Sequence, residues 1–443
     1  MVGYYLLAAK GYSPSVFWPV VAVFFAAICV VISQSLYFLI RYRNKKFSVG
    51  KRSERIWSPE DTFDPVKDVA EIKKDPNKDF MILTFADIQV WEPFRLGKKY
   101  VIYNTIKNTV EKAKPDMIVL LGDNAFYYSR QCYKKIVEIM EEIGLPWAPV
   151  FGNHDCEGNA DLEALGDILS SGKHCLYRKG PRNLTGKGNY AVNITQNGEI
   201  VHTLYFFDSN SSFFEYDESS YRYIKADKEV KEKMPAFFAA RIHEGEHKGE
   251  IPVGEGWGTF GYDQVQYYKW LLAGITKANG GKKPESTLFC HVAPYEFNDA
   301  YFEWVKGGCD PQKGFGEINV KIGSAPVPSG MFDAVLEEGS TKNIIFGHEH
   351  ENDLSLLYKG IRLSYAVKCG DECTTFAETL NGGSTLTIDE TGRGKNYTNI
   401  HVPLKGKRHY DKMMWYYHEQ DAEREKYWEQ QEAEEAAKET GNE

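Results

Sequence analysis

The sequence predicts an α/β fold in which strands alternate with helices and the functional site lies at the ends of strands. From residue 79 onward, short apolar runs alternate with segments of helical spacing. Polar side chains directly follow five of the apolar runs, at Asp87, Asp123, Asn153, His291 and His348. This pattern is typical of a layered α/β protein whose site is built from the loops at its strand ends.

Composition limits the classes of function. The chain has 443 residues, enough to bury a full core. A formal net charge of -9, with no Lys/Arg run interleaved with aromatic residues, argues against a general nucleic-acid binder. The 8 cysteines include no CxxC pair, so no structural zinc site is predicted. Buried thiols and a few disulfides both remain open.

Residues 16–40 are apolar and predict one membrane-spanning helix after a short N-terminal segment, 1–15. As a helix, this stretch is long enough to cross a hydrocarbon core of roughly 30 Å. A cleaved signal peptide is the alternative, but the apolar run resumes after Ser33–Ser35, where cleavage would have to occur.

Two signals conflict over the side of the membrane that carries the bulk of the chain. A basic cluster follows the span, at Arg41, Arg43, Lys45 and Lys46, which favours the cytosol. Four acceptor sequons favour a lumenal glycoprotein, and they begin at Asn183, Asn193, Asn210 and Asn396. The cytosolic and lumenal alternatives therefore both stay open.

Residues 41–78 are polar and contain prolines, and they predict a linker. Residues 79–408 form the predicted catalytic domain, and an insertion at 210–260 is expected near the site, as a lid or a wall. The predicted strands are 80–86, 117–121, 147–151, 190–194, 201–207, 286–290, 344–346, 354–358, 361–366 and 385–388, and the predicted helices are 98–114, 131–143, 263–273 and 329–338. Ser329 is the expected cap of the last helix and Gly339 its end. The acidic tail, 409–443, is expected to be a solvated helix or disordered.

The polar clusters suit a pair of divalent cations. Two such cations about 3.5–4 Å apart need a bridging ligand, and a carboxylate serves well. Asp123 follows Gly122, which permits the tight turn that presents this carboxylate. The other candidate ligands are Asp87, Asn153, His291, His348 and His350. Mixed imidazole, carboxylate and amide ligation favours Mn, Fe or Zn over Ca.

Such a pair predicts hydrolysis of a phosphate ester. A water bridging two metals becomes a hydroxide at neutral pH and can attack phosphorus in line with the leaving oxygen. His154 would protonate the leaving group or stabilise the equatorial oxygens, and Asp155 would hold its tautomer.

In this order, Asp-x-Gln at 87–89, Gly-Asp-Asn at 122–124, Gly-Asn-His-Asp at 152–155, His291 and Gly-His-x-His at 347–350 resemble the calcineurin-like metallophosphoesterases. The resemblance covers residues 80–388, and the stretches 291–294 and 329–333 are similar to the single-domain branch related to purple acid phosphatases, which includes a yeast cell-cycle phosphatase and plant relatives. It implies a four-layer sandwich of two mixed sheets packed face to face with helices outside. It also implies a first metal held by Asp87, Asp123 and His350, a second held by Asp123, Asn153, His291 and His348, and catalysis by His154.

Two positions depart from the family pattern. Gln89 stands where the family usually has histidine; its amide oxygen can ligate, but more weakly, and members that cleave ADP-ribose and CDP-alcohols look similar in carrying this glutamine. Phe126 stands where purple members carry tyrosine, so an iron–tyrosinate is not expected.

The sequence therefore predicts a membrane-anchored dimetal phosphohydrolase, in the first place a phosphomonoesterase acting on a phosphoprotein or a small phosphate ester. A phosphodiester or pyrophosphate hydrolase acting on nucleotide-type substrates is one alternative. A metal-weakened binding or scaffold protein with the same fold is another. The expected partners are a phosphate-ester substrate and the membrane, without nucleic acid, and the oligomeric state is not predicted.

Overall fold

The computed structural model describes residues 18–19, 21–25, 28–29, 32, 47–125, 127–211, 222–225, 250–253, 257–325, 327–371 and 381–406. Most of the predicted span and the whole acidic tail lie outside these ranges. Within them, no helix is both long enough and apolar enough to cross a membrane. Residues 1–48 and 49–443 form two separate units, and the elements named below all belong to the second.

The strands of the second unit are given in chain order for its described residues. They are β1 Val69–Lys73, β2 Phe80–Phe85, β3 Met117–Leu121, β4 Trp147–Val150, β5 Tyr190–Gln196, β6 Glu199–Phe206, β7 Arg222–Lys225, β8 Glu250–Val253, β9 Glu285–Phe289, β10 Gly314–Phe315, β11 Thr341–Phe346, β12 Ser355–Tyr358, β13 Ile361–Tyr365, β14 Gly382–Ile388 and β15 Gly394–His401.

The helices of the same residues lie between these strands. The α-helices are α1 Val101–Ala113, α2 Ser129–Ile143, α3 Leu162–Leu169, α4 Tyr262–Ala278, α5 Glu296–Lys306 and α6 Met331–Glu338, and two short 3-10 helices are Pro93–Leu96 and Asp155–Glu157.

The strands form two mixed sheets and a two-stranded antiparallel sheet of β7 and β8. The smaller sheet has the order β15-β14-β2-β3-β4, in which β2, β3 and β4 are parallel. The larger has the order β1-β5-β6-β9-β11-β13-β12-β10, in which β6, β9, β11 and β13 are parallel. Parallel neighbours end on the same side of their sheet, so the loops that follow these strands are brought together.

The two sheets pack face to face with helices outside them. Leu288 and Phe289 are consecutive on β9 and point to opposite faces, as the two-residue period of a strand requires. Phe289 belongs to the core shared with Ile82 of the smaller sheet, whereas Leu288 packs in the core that contains Leu271 of α4. This confirms the predicted α/β arrangement with two mixed sheets.

The predicted linker is corrected by the structure, because residues 69–73 form strand β1. This strand pairs in parallel with β5 at the edge of the larger sheet. Trp57, also in the predicted linker, is 5% exposed and packs edge-on against Tyr267 at 5.2 Å between ring centroids. An edge strand is covered on fewer sides, so the Val69–Lys73 stretch tolerates charged residues and its apolar signal is weak.

Other strands and helices were not predicted either, among them β10, α3, β15 and α5, and the sequences of these four also give only weak indications of secondary structure. β10 is two residues long, and α3 is eight residues long with Asp161 as its N-cap, whose carboxylate accepts from the amide of Ala164. β15 is exposed along much of its length, and α5 begins directly after the loop that carries His291.

Helix α6 ends as predicted but begins differently. Gly339 is its C-cap, with φ 69°. Its N-cap is Gly330 rather than Ser329, although the Ser329 hydroxyl oxygen accepts from the amide of Met331 at 3.2 Å.

Candidate metal centre

The five polar clusters of the sequence come together at the carboxyl ends of strands from both sheets. Asp123, which follows β3, lies at their centre. Its Oδ1 accepts from the amide of His154 at 2.7 Å, and its Oδ2 accepts from Gln89 Nε2 at 3.1 Å. His291 Nε2 lies 3.2 Å from the same Oδ2, so one carboxylate contacts loops from both sheets.

Asn153 contacts both histidines that follow strands of the larger sheet. Its Oδ1 lies 3.0 Å from His291 Nε2 and 2.9 Å from His348 Nδ1. One donor atom from each of Asp123, His291 and His348 lies within 4.8 Å of the others, and all three residues are buried. This spacing is compatible with one cation held among them.

Asp87 and His350 form a second group beside the first. Asp87 Oδ1 lies 3.5 Å from His350 Nε2, and Oδ2 accepts from the amide of His348 at 3.0 Å. The amide of Gln89 donates to the carbonyl of Asp123 at 2.7 Å, which joins the loop after β2 to the loop after β3. The candidate ligands thus divide into two adjoining groups, with Asp123 in contact with the loops of both.

The backbone of the site is strained where these side chains are presented. Asp87, Gln89, Asp123 and His348 have φ values of 50°, 43°, 48° and 80°, in the left-handed region that residues other than glycine seldom adopt. Each such residue costs of order 1–3 kcal/mol, and strain of this kind concentrates at functional sites.

Two glycines of the motifs are required by close approach. A Cβ on Gly152 would lie 2.3 Å from Asp123 Oδ1, and a Cβ on Gly122, where φ is 84°, would lie 2.7 Å from His291 Nδ1. Any larger residue at either position would displace a candidate ligand.

The charges of the site suit a bound cation. Burial opposes ionisation of Asp123, but His291 holds the pKa of this carboxyl well below its usual range. Burial would lower the pKa of His291, yet the charge of Asp123 raises it to about 9. Burial, together with the charge of His291, holds the pKa of His348 well below its usual range, so this imidazole stays neutral. A cation beside Asp123 would replace the proton of His291, since ligand imidazoles must be neutral.

The donor atoms also fit a metal pair. His291 Nδ1 lies 2.7 Å from the carbonyl of Leu121, an arrangement that directs Nε2 towards Asp123 and Asn153. Asp87 Oδ1 and His348 Nε2 are buried and have no hydrogen-bond partner within the described part of the chain. Buried polar atoms seldom stay unpaired, and a bound metal would satisfy both.

His154 lies on the open side of the site. Its side chain is 35% exposed, and its Nε2 is 4.0 Å from Asp123 Oδ2. Its Nδ1 lies 2.9 Å from Glu157 Oε2, one turn later in the 3-10 helix. The ring therefore has one nitrogen towards the centre and the other towards a carboxylate.

The predicted role of Asp155 is corrected by this geometry. The Asp155 carboxylate is fully buried and accepts from the amides of Asn124, Ala125 and Gly152, at 3.0, 3.1 and 2.8 Å. Burial and the charge of Asp123 raise its pKa. Asp155 therefore holds the loops after β3 and β4 together, and Glu157 occupies the place beside the His154 ring that Asp155 was expected to take.

Gln89 presents an amide N–H, not its oxygen, to the central carboxylate, since a carboxylate only accepts. Phe126 stands where purple members of the family carry tyrosine, and it lies outside the described residues.

Three further residues belong to the site, and none was predicted. Trp257, near the end of the predicted insertion, packs edge-on against His348 at 4.5 Å between ring centroids, and most of that insertion lies outside the described residues. Ser209 Oγ accepts from the amides of His291 and Val292 at 3.3 and 2.8 Å. The third is Glu157. The only sequence feature that could have indicated Ser209 as a site residue is its position shortly after strand β6. No sequence feature indicated Trp257 or Glu157.

Comparison with known proteins agrees with this geometry. The family model for calcineurin-like phosphoesterases matches residues 80–352. Two Arabidopsis thaliana proteins, probable inactive purple acid phosphatases 28 and 14, are 22% and 24% identical over 59% and 60% of this chain. The chain spans about three fifths of their lengths, 59% and 61%. Phosphatase DCR2 of Saccharomyces cerevisiae is 32% identical over 24% of this chain and 20% of its own length.

Among solved structures, a dimetal phosphatase from Danio rerio covers 74% of this chain and 99% of its own. The identity is 12% and the TM-score is 0.41.

Proposed function

Since this chain belongs to the calcineurin-like phosphoesterase family, whose members are metal-dependent phosphoester hydrolases, we propose that it hydrolyses phosphomonoesters at the site around Asp123. The observation that carries the proposal is the convergence of the candidate ligands from both sheets on one buried carboxylate. Names that include "inactive" describe three of the relatives, whereas this chain keeps a donor side chain at every candidate ligand position.

In this proposal the two groups of contacting residues correspond to two metal sites that share Asp123. Asp87 and His350, with Asp123, would hold one divalent metal, and Asn153, His291 and His348, again with Asp123, would hold the other. Mn, Fe and Zn suit these donors. Bound metals supply Lewis acidity at the phosphoryl oxygens and lower the pKa of water.

The chain's own residues then position the ester and move a proton. His154 is half-buried on the open side of the centre, where a leaving oxygen can reach it, so we assign it the donation of a proton to that oxygen. The Glu157 carboxylate lies beside Nδ1 at 2.9 Å, and Nε2 is directed inward. Gln89 orients the Asp123 carboxylate through its amide N–H, and on this geometry it positions a ligand instead of ligating.

A substrate panel tests the reaction type. We expect the full chain, loaded with Mn, Fe or Zn in turn, to hydrolyse p-nitrophenyl phosphate faster than bis-p-nitrophenyl phosphate or ADP-ribose. Faster cleavage of the last two would favour the phosphodiester or pyrophosphate alternative. Fewer than one bound metal per chain, with no turnover under any metal, would favour a binding protein that retains the fold.

The membrane anchor at residues 16–40 remains part of the proposal. We add that the catalytic domain faces the cytosol, because the side chains of three of the four sequon asparagines are hydrogen-bonded to other parts of the fold. Asn183 Nδ2 donates to the carbonyl of Trp57 at 2.8 Å, Asn210 Nδ2 donates to that of Thr259 at 2.8 Å, and Asn193 is 5% exposed. A glycan on any of these three would break a contact, although Asn183 is exposed, as Asn396 is.

A buried free thiol supports the same placement. Cys290 is fully buried and forms no disulfide with a described residue, and Cys373, which was considered as a partner for Cys369, lies outside the described residues. Endoglycosidase treatment of the protein expressed in eukaryotic cells tests the orientation. Any mobility shift on this treatment, including one that an Asn396→Gln variant abolishes, would contradict the cytosolic placement.

A further inference from the structure

A second polar cavity lies apart from the metal centre. It has a volume of about 250 Å³. Four cationic side chains line it, from Arg55, Lys67, Arg178 and Lys179, together with a single carboxylate, that of Asp68. Such an excess of positive charge around a small cavity favours an anionic occupant.

Three of the four cations have carboxylate partners. Arg55 Nη1 lies 2.8 Å from Asp68 Oδ1, and the Lys179 ammonium lies 2.7 Å from Asp167. Lys67 lies 3.4 Å from Asp64 in a pair whose lysine is 83% exposed. Exposed pairs of this kind contribute about 0–1 kcal/mol, so Lys67 can turn to another anion at little cost.

Arg178 differs from the other three. No carboxylate lies within 4 Å of its guanidinium in the described part of the chain, and its Nη1 donates to the carbonyl of Lys67 at 2.8 Å. A guanidinium carries five N–H donors, so the remaining ones are available. Burial lowers the pKa of Arg178, Asp68 raises it and the positive charge of Arg55 lowers it again. A positive charge that is half buried beside another is stabilised by an anion placed against both.

We propose that this cavity binds a phosphate group, free or carried by an ester, with Arg178 as its principal ligand. The planar guanidinium fork matches two phosphate oxygens. Ser53 lines the cavity as well; its oxygen accepts from the amide of Arg55 at 3.3 Å, so its hydroxyl proton can be donated to the anion. The volume is below the roughly 300–1,000 Å³ of pockets for drug-sized ligands and suits a small anion.

The cavity is separate from the metal centre, but a hydrogen bond and a peptide bond connect its wall to the residue that holds the backbone of His291. Asn189, on the cavity wall, accepts through Oδ1 from the amide of Asp208 at 3.1 Å. Asp208 precedes Ser209, which accepts from the amide of His291. The proposal does not depend on the reaction proposed above, because binding here requires neither metal nor turnover.

Equilibrium dialysis of the metal-stripped full chain against radiolabelled inorganic phosphate tests the proposal. We expect one saturable phosphate per chain in the wild type, and affinity at least tenfold lower in Arg178→Gln, since charged hydrogen bonds are lost. Arg393→Gln is the matched control: Arg393 is exposed on the turn after β14, and its replacement should leave the affinity unchanged. Equal affinity in wild type and Arg178→Gln, or no saturable binding by the wild type, would overturn the proposal.

Two further variants locate the bound phosphate. Asp123→Asn should bind phosphate as the wild type does, and loss of binding there would place the anion at the metal centre and refute the cavity. Arg178→Lys keeps the charge but loses the fork, so we expect an affinity between those of wild type and Arg178→Gln. Circular dichroism melts of each variant establish that it is folded, and phosphate should raise the melting temperature of the wild type but not of Arg178→Gln.

Competition identifies the source of the phosphate group. Displacement of labelled phosphate by phosphoserine indicates that an ester-borne group enters the cavity. Failure of phosphoserine to displace it indicates free phosphate alone, and both results support the cavity as a phosphate site.

Discussion

Gly152→Ala adds one methyl group at the point where the loop after β4 passes Asp123. The new Cβ would lie 2.3 Å from Asp123 Oδ1, 2.4 Å from its backbone nitrogen and 2.9 Å from Cγ. Favourable contacts of carbon with its neighbours need about 3.5 Å, so Asp123 must move by roughly 1 Å. Rotation of the side chain alone cannot relieve the clash, because one of the atoms is backbone.

A displacement of this size in a catalytic site costs about 10²-fold in rate, or about 2.7 kcal/mol of barrier. We therefore expect kcat with p-nitrophenyl phosphate to fall about a hundredfold, and bound metal, measured by inductively coupled plasma mass spectrometry, to fall with it. The metal measurement does not depend on the choice of substrate.

Gly280→Ala is the control for the cost of replacing a glycine. Gly280 has φ 66° and its added Cβ would meet nothing within 4 Å, so this variant should lose about 1 kcal/mol of stability and keep both metal and turnover. If Gly152→Ala kept the metal content and kcat of the wild type, Asp123 would not be the rigid centre that the contacts indicate.

Four further variants probe charge, proton transfer and pH. Asp123→Asn should abolish turnover and lower metal content together, because the amide cannot replace the central charge; unchanged metal content would contradict its role. His154→Ala should lower kcat by about 10²–10⁴-fold with metal retained, as expected for a lost proton donor, and joint loss of metal would mean that His154 ligates. Glu157→Gln should lower kcat by less than about tenfold at constant metal content, because the Glu157 side chain is 52% exposed, and a loss as large as that of His154→Ala would make the carboxylate itself the proton donor. Burial lowers the pKa of His202 from 6.5 to about 4. Between pH 6.5 and pH 4, His202 is therefore protonated in the unfolded chain but neutral in the folded chain. The free energy of unfolding should fall by up to about 3 kcal/mol more in the wild type than in His202→Gln as the pH drops from 6.5 to 4, and parallel urea-denaturation curves for the two proteins would disprove this.

Much of the fold was predictable because its signals are local. β3 has the bounds predicted from its apolar run, and the end of α6 follows from the left-handed conformation that Gly339 adopts. β1 was not predictable, because a charged edge strand has the composition of a linker and becomes a strand only through its pairing with β5.

The candidate site also has features that the sequence predicted and features that it did not. The types of donor and their order along the chain were evident, and so was the need for glycine beside Asp123. The partners of individual atoms were not. Asp155 was expected to hold His154 because it is the next residue, but its carboxylate turns inward to three backbone amides, and Glu157 reaches the ring because the 3-10 helix brings it round.

By itself, the sequence determined that polar donors would follow buried strands in an order typical of a dimetal site, because apolar periodicity and motif spacing are properties of neighbouring residues. Only the tertiary structure decided which atoms meet. The contact of Asp87 with the amide of His348 joins residues 261 positions apart, and the packing of two sheets, which no local pattern encodes, brings them together.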